Sequence, residues 1–102
     1  MHLIHLLLPL HDNNHRQIEP RQFQAVRNEL TEKFGGITAF VRSPAVGLWK
    51  EDTENIRRDE VVMFEILSDQ LDDDWWRAYR EKLEADFRQN EILIWAAEVM
   101  KL

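Results

Sequence analysis

The sequence predicts an α+β domain with the element order β-α-β-β-α-β, and three observations predict it. Four apolar runs have the length and composition of strands. Two segments carry large apolar residues at the same steps of 3, 4 and 4, which is one face of an α-helix. Each half of the chain then reads strand, helix, strand, so the whole is a two-fold pseudo-repeat of βαβ units.

The first strand spans residues 2–8 and stops at Pro9, which has no N–H to give to a ladder. A polar loop, residues 11–16, follows. Pro20 suits the first turn of a helix whose face is Phe23, Val26, Leu30 and Phe34. Gly35-Gly36 ends it, because glycine accepts the left-handed cap conformation. Residues 37–42 form the second strand, Ser43-Pro44 interrupts it, and residues 46–50 continue it as a hairpin arm after a bulge. The charged residues 51–59 are the turn, and residues 61–67 are the third strand. Asp72 is a helix N-cap, with Asp73 and Asp74 placed favourably against the helix dipole. Leu71 and Trp76 occupy the positions of a hydrophobic staple. Trp76, Tyr79, Leu83 and Phe87 make the second helical stripe, and residues 92–99 are the last strand.

Right-handed crossovers interleave two such units into a four-stranded antiparallel sheet of order 4-1-3-2, with both helices on one face. That is a ferredoxin-like arrangement. The central positions fall to the first and third strands, the most continuously apolar.

A chain of 102 residues forms a single domain, residues 1–102, and buries roughly 60–70 % of the surface that its unfolded form exposes. It has no cysteine, which excludes disulfides, thiolate metal sites and thiol catalysis. The net charge of −6, with no basic stripe, argues against a nucleic-acid partner. The apolar N-terminal run lacks the leading Lys or Arg and the cleavage site of a signal peptide, and is far short of the ~20 residues of a membrane span. A cytoplasmic protein with no membrane partner is the expectation.

Side chains alternate across a strand, so each strand divides into two sets. Ile4, Leu6, Leu8, Ile37, Ala39, Val41, Val62, Phe64, Ile66, Leu93, Trp95, Ala97 and Val99 form a set suited to lie under the helices. The opposite set is also mostly apolar: Leu3, Leu7, Phe40, Val61, Met63, Leu67, Ile92, Ile94, Ala96 and Met100, with His5, Thr38, Arg42, Glu65 and Glu98 among them. An open sheet face in water usually alternates to polar, and a large uncovered apolar patch marks an interaction site. A second copy of the chain, sheet against sheet, is the simplest cover, so a homodimer is expected.

The polar members of that face suggest a row. If the hairpin closes near Thr53-Glu54, Arg42 lies opposite Glu65 and the two form a cross-strand ion pair. His5 on the neighbouring strand reaches the same carboxylate. A histidine oriented by a carboxylate is a general-base arrangement, so His5 and Glu65 are the candidate catalytic residues. Arg42, able to grip a carboxylate with two hydrogen bonds, Thr38 and Trp49 are the candidate ligand-binding residues. The alternative role for the row is a buried network that sets register or dimer geometry.

Other candidates carry less. His11 and His15 are four apart but lie in a loop, without a zinc-protease motif, so no metal is expected. Gly35-Gly36 is a helix stop with no phosphate-binding fingerprint, and Ser43 and Ser68 lie in no nucleophile-elbow context. Trp49 on the hairpin arm is expected near Arg58, within reach of a cation–π contact. An aromatic on such an arm can line a pocket or clasp a second subunit, and packing is the expected role of Trp49, Trp75 and Trp76.

Phe34-Gly35-Gly36-Ile37-Thr38, then Gly47-Leu48-Trp49, the apolar third strand, and Trp76 with Tyr79 and Phe87 resemble a pattern in small bacterial proteins of uncharacterised function. At fold level this is similar to the dimeric α/β-barrel superfamily, which includes cofactor-independent monooxygenases, muconolactone-type isomerases and haem-degrading enzymes. The resemblance implies a dimer of ferredoxin-like domains. No residue set here matches the catalytic motif of an enzymatic branch, so no catalytic residue and no cofactor is carried over. Two functions follow. One is a small dimeric protein that binds a small organic or anionic molecule or acts by interaction. The other is a cofactor-free enzyme acting on a small aromatic or carboxylated metabolite, with His5 as base, Glu65 as its orienter and Arg42 as anion anchor.

Overall fold

The computed structural model describes residues 1–35, 38–50 and 56–102, with side chains described for residues 1–35 and 61–102. Its elements are β1 (His2–Pro9), α1 (Pro20–Phe34), β2 (Thr38–Lys50), β3 (Ile56–Ser68), α2 (Asp73–Asp86) and β4 (Leu93–Glu98). The expectations for Gly36, Ile37 and residues 51–55 lie outside the described residues.

Local chemistry sets the helix ends. Pro20 occupies the first turn of α1, where a missing N–H costs nothing, and the Gln22 side chain accepts from the Glu19 N–H at 3.4 Å. Gly35 stops the helix in the left-handed region, at φ 79°, with its N–H donated to the Thr31 carbonyl at 2.8 Å. At α2 the Asp72 carboxylate accepts from the Trp75 N–H at 3.1 Å, and Asp73 and Asp74 stand in the first turn.

Both helices pack on one face of the sheet. Ile4, Leu6 and Leu8 of β1 and Val62, Phe64 and Ile66 of β3 meet Val26 and Leu30 of α1 and Trp76, Tyr79 and Leu83 of α2. Phe87, just past α2, is buried and meets Phe23 edge to face at 5.4 Å. Each such side chain stabilises the fold by about 1.5–3 kcal/mol through burial. Among the described residues, no polar or charged side chain is buried in this core. Where the C-terminal end of α1 meets α2, Phe34 stacks on Trp76 and Trp75 on Tyr79, with Lys33 Nζ 4.4 Å from the Trp75 ring centre. Both tryptophans of α2 are thus packed against neighbouring rings.

The sheet is antiparallel, with hydrogen-bonded order β2-β3-β1-β4. Three details differ from expectation. First, β2 runs unbroken through Ser43-Pro44. The expected bulge is present as a jump in register: between Arg42↔Val61 and Gly47↔Asp59, five steps along β2 match two along β3. Second, β3 starts at Ile56, inside the stretch expected as turn, and Trp49 pairs with Arg57 rather than Arg58. Third, β4 presents the opposite parity. Ile92 is buried and its N–H is held by the Glu84 carboxylate at 2.9 Å, so Leu93 turns outward and Trp95 with it. Ile94 and Ala96 pair with Leu6 and Ile4 on the helix side. A slip of one residue exchanges the faces of a whole strand. No helix among the described residues is long and apolar enough to cross a membrane.

Candidate functional site

Strand alternation puts the odd-numbered residues of β1 on the face away from the helices, as its half-buried Leu3, His5 and Leu7 show. His5 is the only one of these three with a polar side chain. Across the β1–β3 ladder it lies directly opposite Glu65, and across the β1–β4 ladder directly opposite Trp95. Glu65 in turn is opposite Thr38 on β2. One row, Thr38–Glu65–His5–Trp95, thus crosses all four strands.

Two contacts define the middle of the row. The His5 Nε2–H donates to Glu65 Oε2 at 3.0 Å. The His5 ring stacks on Trp95, with ring centres 5.2 Å apart and planes inclined by 28°. The His5 side chain is only 16 % exposed, whereas that of Glu65 is 33 % exposed and Trp95 is 39 % exposed. The other ring nitrogen, Nδ1, is buried without a hydrogen-bond partner. Both imidazole nitrogens are therefore withdrawn from a molecule arriving at this face: one is bonded to Glu65 and the other is shielded. The carboxylate and the indole are the groups such a molecule meets.

Arg42 does not take the place expected of it. The register sets it opposite Val61, four residues along β2 from Thr38, and gives Thr38 the position across from Glu65. Four strand residues span on the order of 13 Å, so a cross-strand Arg42–Glu65 ion pair does not form by register. The reason is the hairpin geometry: the register shift after Arg42 takes up residues of β2 that a regular hairpin would have matched one to one. The side chains of Thr38, Arg42 and Trp49 lie outside the described residues. Trp95 is the member that sequence reasoning missed. Both parities of residues 92–97 are apolar, and only the seating of Ile92 in the core decides between them.

Four cavities of 220–500 Å³ are lined by described residues without His5 or Glu65, and Trp95 borders the one of about 270 Å³. Around the row the same face carries Leu7 and Met63, half-buried, and Leu67 and Leu93, 55 % and 44 % exposed. No group of three His, Asp or Glu side chains among the described residues is arranged to hold a metal ion.

No family model matches the sequence, and no curated protein matches it. Among solved structures, a phage SAM lyase in complex with S-methyl-5'-thioadenosine is similar in fold, with a TM-score of 0.60 and 13 % sequence identity over 95 % of this chain and 80 % of that one.

Proposed function

We propose that this protein is a ferredoxin-like, homodimeric binding protein for a small, flat organic molecule, held at the Glu65–His5–Trp95 row. The observation that carries this is the row itself: a hydrogen-bonded carboxylate–imidazole pair beside a solvent-facing indole, next to the apolar Leu3, Leu7, Met63, Leu67 and Leu93 of the same face. The indole supplies a stacking surface. The Glu65 carboxylate accepts from amino or hydroxyl groups at the ligand's edge. His5 holds that carboxylate in place from below. A second chain laid against Leu7, Met63, Leu67 and Leu93 provides the missing wall. The fold likeness to a lyase with a bound thioadenosine supports an adenosyl thioether as the first ligand to try.

Titration with S-methyl-5'-thioadenosine, followed at the Trp95 indole N–H by NMR, tests this. Saturable shifts are expected. Trp95→Ala should remove a stacking contribution of about 1–3 kcal/mol, or roughly one to two powers of ten in Kd. Shifts absent at Trp95, or unchanged affinity in Trp95→Ala, would overturn the proposal.

A second reading, favoured by the His5–Glu65 hydrogen bond, is catalysis at the same row. In this reading Glu65, the more exposed of the two, is taken as the acid–base group that touches substrate, and His5 as its positioning residue. The candidate substrate is S-adenosylmethionine, after the lyase of similar fold. Consumption of that compound, lost in Glu65→Gln, separates this reading from binding alone.

A further inference from the structure

A groove lies on the helix side of the sheet, at the edge formed by β4. β4 is the outermost strand beside β1, and α2 does not fully cover it, leaving Ala96 exposed and Ile94 half-buried. The groove, between strand and helix, has a volume of about 270 Å³. Ile4, Ile94, Trp95 and Ala96 line it from the sheet, and Trp76 and Arg77 with Arg80 line it from α2. The two arginines are three residues apart, so their side chains lie on the same side of the helix one turn from each other. Among the described residues, neither guanidinium makes an ion pair or a hydrogen bond. In a chain with a net charge of −6, two arginines with no ion-pair partner among the described residues thus lie beside the apolar Ile94 and Ala96.

We infer that this groove binds a small planar monocarboxylate, its apolar body against Ile94, Ala96 and Trp76 and its head group between Arg77 and Arg80. A guanidinium meets a carboxylate with two parallel N–H···O bonds, a geometry that an ammonium cannot reproduce. The groove carries one acid, Asp73, in the first turn of α2. Two arginines and one aspartate leave a single positive charge, which suits a monoanion better than a phosphate dianion. The volume lies just below the range typical of drug-sized ligands, so the ligand is a small one. Glu65 and His5 belong to the opposite face of the sheet, and Trp95, which stacks on His5, also borders this groove; the inference rests on Arg77 and Arg80 and not on the function proposed at the row.

The test uses three probes of one shape: 2-naphthoate, the neutral 2-naphthalenemethanol and the dianion 2-naphthyl phosphate. Each is titrated into the full-length protein, with NMR readout at the Arg77 and Arg80 Nε–H groups and the Ala96 amide. The carboxylate is expected to shift these signals saturably, to bind at least tenfold more tightly than the alcohol, and to outbind the phosphate. The double variant Arg77→Gln, Arg80→Gln alters exposed side chains and should keep the wild-type amide spectrum while losing at least tenfold in affinity. Equal binding of carboxylate and alcohol overturns the inference. So does undiminished binding to the double variant, a preference for the phosphate, or shifts confined to Leu3 and Met63 on the opposite face. If the double variant fails to fold, the ranking of the three probes on the wild type decides alone.

Discussion

Asp12 shows how much one side chain organises. Its carboxylate accepts from the Asn14 N–H at 2.8 Å and the Arg16 N–H at 3.0 Å, closing the loop between β1 and α1. Inside that loop His15 sits in the left-handed region, at φ 62°, a conformation unfavourable for a side chain with a Cβ and sustained here by the surrounding bonds. The Arg16 N–H, then the Asn14 N–H and the charges of Arg88 and Arg16, hold the Asp12 carboxyl below its ordinary value of 3.8, against the opposing effect of desolvation. A folded-state pKa below the unfolded one means the unfolded chain binds the proton more readily. The loop's stabilisation is therefore complete above the ordinary carboxylate range and is lost as pH falls through the lowered value. The amide shifts of Asn14 and Arg16 should move toward unstructured values below about pH 4. Asp12→Asn, which keeps an acceptor oxygen and loses the charge, should retain the loop and abolish that pH dependence.

At the scale of elements, both helices were legible because their signals are local. Proline in the first turn, an aspartate cap, a glycine stop and a 3, 4, 4 apolar stripe each act within a few residues of where they stand. Gly35 illustrates the energetics. A Cβ built there meets nothing within 4 Å, so Gly35→Ala carries no steric clash, only the cost of holding alanine at φ 79°. That cost is about 1–2 kcal/mol. Urea denaturation should show a loss of this size with an unchanged slope, and a loss near zero would mean that α1 ends differently in solution. The strands were less legible. β1 and β3 were assigned to the correct faces because a single parity keeps polar residues out of the core. β4 was not, because Leu93, Trp95 and Ala97 are as apolar as Ile92, Ile94 and Ala96. The hairpin register was not legible either, since a bulge of several residues leaves no count of positions in the sequence from which pairing can be read.

For the whole molecule, the question is what covers the open face of the sheet. The exposed Leu67, Leu93 and Trp95 stand beside half-buried Leu3, Leu7 and Met63 on one side of β1, β3 and β4. The proposed sheet-to-sheet dimer removes this surface from water at about 25 cal/mol per Å². It also brings a second copy against Glu65 and Trp95. Leu93→Glu places a charge in that interface and touches no buried residue of the core. The wild type should sediment at twice the single-chain mass of 12.3 kDa at micromolar concentration, and Leu93→Glu at the single mass with its fold intact. A wild type that sediments as one chain removes the dimer and the second wall of the proposed site together.

Sequence alone determined the kind of molecule this is: the element order, the helix ends, the core stripes and the apolar character of both sheet faces. These follow from period, capping chemistry and composition, which are written in neighbouring residues. Only the tertiary structure decided which residues meet. It exchanged Arg42 for Thr38 opposite Glu65, and it brought Trp95 onto the His5 ring. The physical reason is that a strand has a period of two, so a shift of one residue changes the face and a shift of two changes the partner. Such shifts are set by contacts distant in sequence, here the burial of Ile92 with its Glu84 hydrogen bond and the register jump after Arg42.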